Sequence, residues 1–93
     1  MGWPRKERFR RGLEAAYYTL QPYGGAGVVV PMSVVIEVIQ LKTPQALEKF
    51  RQDARIPWIV DSRTGESGWS GEYLFDFTAR RIAELQEDGK FID

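Results

Sequence analysis

The side chains able to do chemistry in this chain are carboxylates, guanidinium and ammonium groups, amides and hydroxyls, because neither His nor Cys occurs among its 93 residues. The missing imidazole removes the commonest general base, the commonest zinc ligand and every Ser-His or Cys-His nucleophile. The missing thiol removes disulfides and thiolate metal sites. Two carboxylate pairs remain: Asp61 and Glu66 bracket Ser-Arg-Thr-Gly, and Glu72 and Asp76 lie along one expected strand. Neither comes with a third group to position it, so both read as surface acids rather than a hydrolytic or Mg²⁺ site. Gly24 to Gly27, Gly-Gly-Ala-Gly, lacks the strand before and helix after that a phosphate-binding loop requires. The expectation is a chain without catalytic residues, metal or cofactor, which acts by binding.

The side chains best suited to binding lie between Lys42 and Arg55. Thr43 is a favoured N-cap, Pro44 falls at the first helical position, and Leu47, Phe50 and Ala54 form an apolar stripe. That stripe turns Gln45, Glu48, Lys49 and Gln52 outward. In the DNA major groove, Lys and Gln match the acceptors of guanine and the acceptor–donor pair of adenine, respectively. Lys42, Arg51 and Arg55 flank the helix and suit phosphates, as do the amides at the start capped by Thr43. Arg63 and Thr64, in a turn-rich stretch, are spaced to reach an adjacent minor groove. Glu48 and Asp53 would oppose phosphates, and Gln, Glu and Lys also make the ordinary solvated face of a small domain. Charge permits the binding reading without demanding it. Residues 1–55 hold nine Lys/Arg against five Asp/Glu, whereas residues 56–93 hold four against eight, within a chain of zero net charge.

The elements that must position these residues are partly legible. Phe9, Leu13, Ala16, Tyr17 and Leu20 fall on one helical stripe over residues 5–20, opened by Pro4 and ended by Pro22 and Gly24-Gly25. The basic run Arg5 to Arg11 reads as the wet side of that helix. Val28 to Val30 form a short strand that Pro31 interrupts. Residues 33–41 admit two readings: a helix capped by Ser33 that buries Val35, Val38 and Ile39, or a strand favoured by its β-branched run. A helix over 43–54 and a strand at Trp58 to Val60 follow, with Trp58 in the core. Asp61 to Gly71 is a loose loop, in which Trp69 either anchors a contact or folds back onto the sheet. Tyr73, Phe75 and Phe77 alternate as a strand would. Thr78 or Asp76 then caps a last helix with Ile82 and Leu85 inward and Gly89 as its stop.

With the helical reading of 33–41, the order is helix, strand, two helices, a two-stranded hairpin and a helix. The segment Thr43 to Pro57 resembles the recognition helix of MerR-type regulators and phage excisionases. Thr43-Pro44, Leu47, Phe50 and Arg55-Ile56-Pro57 match its capped start, buried stripe and basic exit. The resemblance implies an α+β fold of the winged helix-turn-helix type across residues 1–93. It also implies sequence-specific contact with double-stranded DNA by a small regulator or a phage or mobile-element accessory factor. Ile36 or Glu37, and Gln40 or Leu41, stand where that motif usually has a small residue and a turn glycine.

With the extended reading, the same chain becomes an α+β module that binds a host or phage protein through Trp69, its hairpin and its acidic half. The first helix could supply a homodimer interface, although no sustained heptad specifies one. No apolar run is long enough to span a bilayer and the N-terminal stretch is no signal-peptide core, so the expected location is cytoplasmic. If Leu47 is a core residue, Leu47→Ala should lower unfolding free energy by about 2–5 kcal/mol in chemical denaturation. A near-neutral change would mean that the helix is rotated differently.

Overall fold

The structure, a computed structural model, describes the backbone of residues 5–87 and the side chains of residues 12–84. The expected roles of Pro4, Gly89 and the side chains of Arg5 to Arg11 and Leu85 lie outside those residues.

Helix α1 (Arg5–Leu20) buries Ala16 and Leu20. It passes into a 3-10 turn at Gln21–Tyr23, with Pro22 near its start. Strand β1 (Val29–Val30) follows, and then α2 (Met32–Ile39). Residues 33–41 are therefore mainly helical despite their β-branched run. Packing decides this: Val35 is fully buried, and Val34, Val38 and Ile39 rest against the same core. Ser33 does not cap α2. Its start is Pro31, whose carbonyl accepts from the N–H groups of Val34 (3.0 Å) and Val35 (3.1 Å).

Helix α3 (Pro44–Asp53) begins as expected, with the Thr43 hydroxyl accepting from the Ala46 N–H at 3.1 Å. Leu47 is buried, and Phe50 and Ala54 pack against the core. The helix closes in a Schellman arrangement. The Ile56 N–H donates to the Arg51 carbonyl (2.9 Å) and the Arg55 N–H to that of Gln52 (3.1 Å). Arg55 takes the left-handed conformation this requires, φ 59°. Ile56, just beyond it, is buried.

Strands β2 (Trp58–Val60) and β3 (Ser67–Ser70) form an antiparallel hairpin, and β1 pairs antiparallel with the far side of β3, giving the order β1-β3-β2. Trp69 lies opposite both Val30 and Trp58. Its indole is buried and stacked on Phe50, ring centres 6.1 Å apart, so it folds onto the sheet. Trp58, expected in the core, is 54% exposed.

The largest departure is helix α4 (Gly71–Glu87), which occupies the stretch read as a strand. The alternation of Tyr73, Phe75 and Phe77 is fortuitous. Leu74 is fully buried and Phe75 and Phe77 pack partly buried against the same core, whereas Tyr73 is 52% exposed. Phe75 also meets Tyr17 of α1 at 4.8 Å between ring centres. Thr78 lies inside the helix, buried, its hydroxyl donating to the Leu74 carbonyl at 3.1 Å, so it caps nothing. Asp76 is also internal to α4.

The described residues form an α+β fold with four α-helices and a three-stranded antiparallel sheet. Leu20, Val30, Val35, Leu47, Ile56, Trp69 and Leu74 form one core drawn from every helix and two strands. The passage from β3 into α4 is sterically tight, because a Cβ on Gly71 would lie 2.0 Å from the Tyr23 carbonyl oxygen. Gly71→Ala should therefore prevent native folding, seen as loss of the cooperative thermal transition. Gly12→Ala, within α1 and with no described atom within 4 Å of the added Cβ, should stabilise by about 0.5–1 kcal/mol. Equal behaviour of the two variants would contradict the packing described.

Candidate nucleic-acid interface

The outward side of α3 presents Gln45, Glu48, Lys49 and Gln52, all exposed, with Lys42 and Thr43 at its start. Three of these, Thr43, Glu48 and Gln52, are engaged locally. The Thr43 hydroxyl is the cap, and Gln52 Nε2 donates to Glu48 Oε1 at 3.1 Å. Gln45 and Lys49, one helical turn apart, carry no hydrogen bond or ion pair among the described residues. The same holds for the side chains of Lys42 and Arg55. These four are the groups whose donors remain available to an external acceptor.

Arg51, expected as a phosphate contact, is engaged within the protein. Its guanidinium pairs with Glu48, the Nε donating to Oε2 at 3.0 Å, and a second nitrogen closes the pair on Oε1. A further bond runs to the Ile56 carbonyl at 3.0 Å, and the group lies 5.9 Å from the centre of the Trp58 ring. Arg51 thus ties the end of α3 to the segment leading into β2 and sets its charge over the Trp58 indole, which stays 54% exposed. Its hydrogen bonds hold the Glu48 carboxyl below the usual range, and Glu48 in turn raises the Arg51 pKa. The pairing offsets part of the negative charge that would oppose phosphate on this face, where Glu48 and Asp53 are both exposed.

The hairpin turn is not a loose tip. Asp61 is buried, and both of its carboxylate oxygens are filled. Oδ2 accepts from the Val29 N–H at 3.0 Å, while Oδ1 accepts from the N–H groups of Arg63 (2.7 Å) and Thr64 (3.2 Å). The Arg63 guanidinium reaches the same carboxylate at 3.3–3.4 Å. Backbone bonds from Asp61 to the Glu66 carbonyl and from Gly65 to that of Asp61, with Gly65 at φ 78°, complete the turn. The Ser62 N–H donates to the Gly27 carbonyl at 3.2 Å, binding the turn to the loop before β1. Arg63 is held by Asp61 yet has a 64% exposed side chain. Of the carboxylate pairs noted in the sequence, Asp61 is therefore a structural anchor, while Glu72 and Asp76 are exposed on α4. The signal for Asp61 was present in Asp-Ser-Arg-Thr-Gly, since an Asp that bonds the backbone two residues on and a later Gly are turn chemistry.

Among the described residues no group of His, Cys, Asp or Glu is arranged to hold a metal ion, and no helix is long and apolar enough to cross a membrane. The chain has no significant match among protein-family models, curated proteins or solved structures.

The Val29 N–H and the Arg63 side chain hold the Asp61 pKa far below its ordinary value near 3.8. A depressed folded-state value means that this carboxylate stabilises the fold above the unfolded pKa, and that the contribution is lost as pH falls below it. Asp61→Asn should lower the melting temperature at neutral pH, and the gap to the unchanged protein should narrow as pH falls below about 4. A gap independent of pH, followed by calorimetry, would reject this account of the turn.

Proposed function

We propose that the chain is a winged helix-turn-helix domain that binds double-stranded DNA sequence-specifically, as a small regulator or mobile-element accessory factor. In this reading α2 and α3 are the helix pair, α3 enters the major groove, and the β2–β3 hairpin is the wing. The observation that carries it is the free outward face of α3: Gln45 and Lys49 project from the first two turns of a helix whose opposite side is anchored by Leu47 and Phe50. Helix N-terminal residues are those that approach base edges in such docking. The element order and the sheet order β1-β3-β2 agree with it.

The misfit noted at the turn has a physical answer. Gln40 adopts φ 61° and ψ 32°, the left-handed conformation normally supplied there by glycine. A four-residue connection, 40–43, then leads directly into the Thr43 cap. Lys42 and Arg55, at the two ends of α3, serve as phosphate contacts that fix register, and Arg63 serves as the contact from the wing. Gln52 adds to the groove face once released from Glu48. Arg51 positions the helix end and takes no direct part. The extended segment at 33–41 that the alternative α+β arrangement requires is helix α2 over Met32–Ile39.

The test is a mobility-shift assay with mixed-sequence duplex at low and high salt, followed by selection of a preferred site from random duplexes. Binding should weaken steeply with salt. On the selected site, Gln45→Ala and Lys49→Ala should each cost about 1–3 kcal/mol, a loss of roughly five- to a hundredfold in affinity. Lys42→Ala should weaken selected and mixed sequences alike. Absence of any salt-sensitive shift, or wild-type affinity in both α3 variants, would overturn the assignment.

A further inference from the structure

On the inner side of the helices a cleft of about 470 Å³ lies between α1, the end of α2, α3 and α4. That volume falls within the range of small-molecule sites. Its walls are apolar: Leu13 and Ala16 from α1, Val38 and Leu41 around the helix connection, Phe50 from α3 and Phe77 from α4. Phe50 and Phe77 meet edge to face, ring centres 5.5 Å apart, and make an aromatic floor.

Two features distinguish the cleft from an ordinary packing gap. The first is Gly12. It lines the cleft from within α1, where glycine disfavours the helix relative to alanine. No described atom lies within 4 Å of the position its Cβ would take, so packing does not require it. Its effect is to leave the cleft open. The second is charge. Among the described lining residues, Gln40, Thr78 and Arg81 are the polar side chains and none is a carboxylate. The Thr78 proton is committed to the Leu74 carbonyl, so the available donors are the Arg81 guanidinium and the Gln40 amide. Arg81 is paired with Glu84 of its own helix through one 3.5 Å contact between half-exposed groups. Such a pair is weak and readily exchanged for a better-placed anion.

We infer that this cleft binds a small amphiphilic carboxylate, with its apolar body between α1 and the Phe50–Phe77 floor and its head group on Arg81. The site is independent of the DNA reading, although Phe50 places any occupant directly behind α3.

Titration with decanoate, followed by amide chemical shifts of the whole chain in the absence of DNA, tests it. Saturable shifts should centre on Gly12, Val38, Phe77 and Arg81. Arg81→Gln should weaken decanoate about tenfold or more, as loss of a charge-assisted contact does. Gly12→Leu should abolish binding by filling the cleft while keeping the shift dispersion of a folded chain. Decanol and decyltrimethylammonium should bind more weakly than decanoate. The inference falls if decanoate gives no saturable shifts at millimolar concentration, if its shifts map elsewhere, if all three probes behave alike, or if Arg81→Gln binds as the unchanged protein does. Should Gly12→Leu lose its dispersion, Arg81→Gln and the charge controls decide the matter. Because no DNA is present, failure here leaves the proposed interface on α3 standing.

Discussion

The Asp61 carboxylate is where the hairpin turn is joined to the loop and strand that follow α1. An ionised carboxylate taken out of water is costly unless its lone pairs are filled. Here one oxygen takes the Val29 N–H from β1, the other takes the N–H groups of Arg63 and Thr64, and the Arg63 guanidinium covers both. A turn that sequence composition describes as loose is thereby given one conformation and one attachment. This matters because the sheet is minimal. Its outer strands have two and three residues, too few to set their own position by ladder bonds alone. The hairpin brings Trp69 between Val30 and Trp58, and Trp69 is the floor on which Phe50 of α3 stacks. The seat of α3 therefore depends, through a short chain of contacts, on one carboxylate that lies outside the helix and bonds a strand 32 residues before it.

The α3 segment is bounded by two left-handed residues that are not glycine, Gln40 before it and Arg55 after it. A side chain there costs about 1–2 kcal/mol relative to the right-handed form. Each is compensated locally: Gln40 by its N–H bond to the Ile36 carbonyl, Arg55 by the paired bonds of the Schellman closure and the burial of Ile56. The arrangement delivers a long polar side chain at each end of the helix where glycine would deliver none.

Much of the candidate site was legible because helix chemistry is local. The Thr43 cap, Pro44, and the Leu47–Phe50–Ala54 stripe together specify which side of α3 faces outward, without reference to the rest of the molecule. What could not be read was the state of each polar group on that side. Glu48, Arg51 and Gln52 bond one another, and Arg51 also reaches Ile56 and Trp58, so a residue suited to phosphate by type is spent internally. Trp58 likewise reads as core by its apolar surroundings but lies on an edge strand, 54% exposed, with that guanidinium over its ring. Tyr73, Phe75 and Phe77 mislead most, because two-residue alternation of aromatics is satisfied equally by a strand and by a helix whose neighbours lie on several sides.

By itself the sequence determined the absence of His and Cys chemistry, the boundaries of α1 and α3, the breaks at Pro22 and Pro31, and the outward set of α3. All of these follow from side-chain type, capping and spacing within a few residues. Tertiary structure alone decided that a β-branched run at 32–39 is helical, that Ser67 to Ser70 rather than residues 72–77 forms the third strand, and that Asp61 is an anchor. Those outcomes turn on burial against Leu20, Trp69 and Leu74 and on hydrogen bonds spanning more than thirty residues. Local propensity is worth tenths of a kcal/mol per residue, while burying one large apolar side chain is worth about 1.5–3 kcal/mol. Where the two disagree, the core prevails.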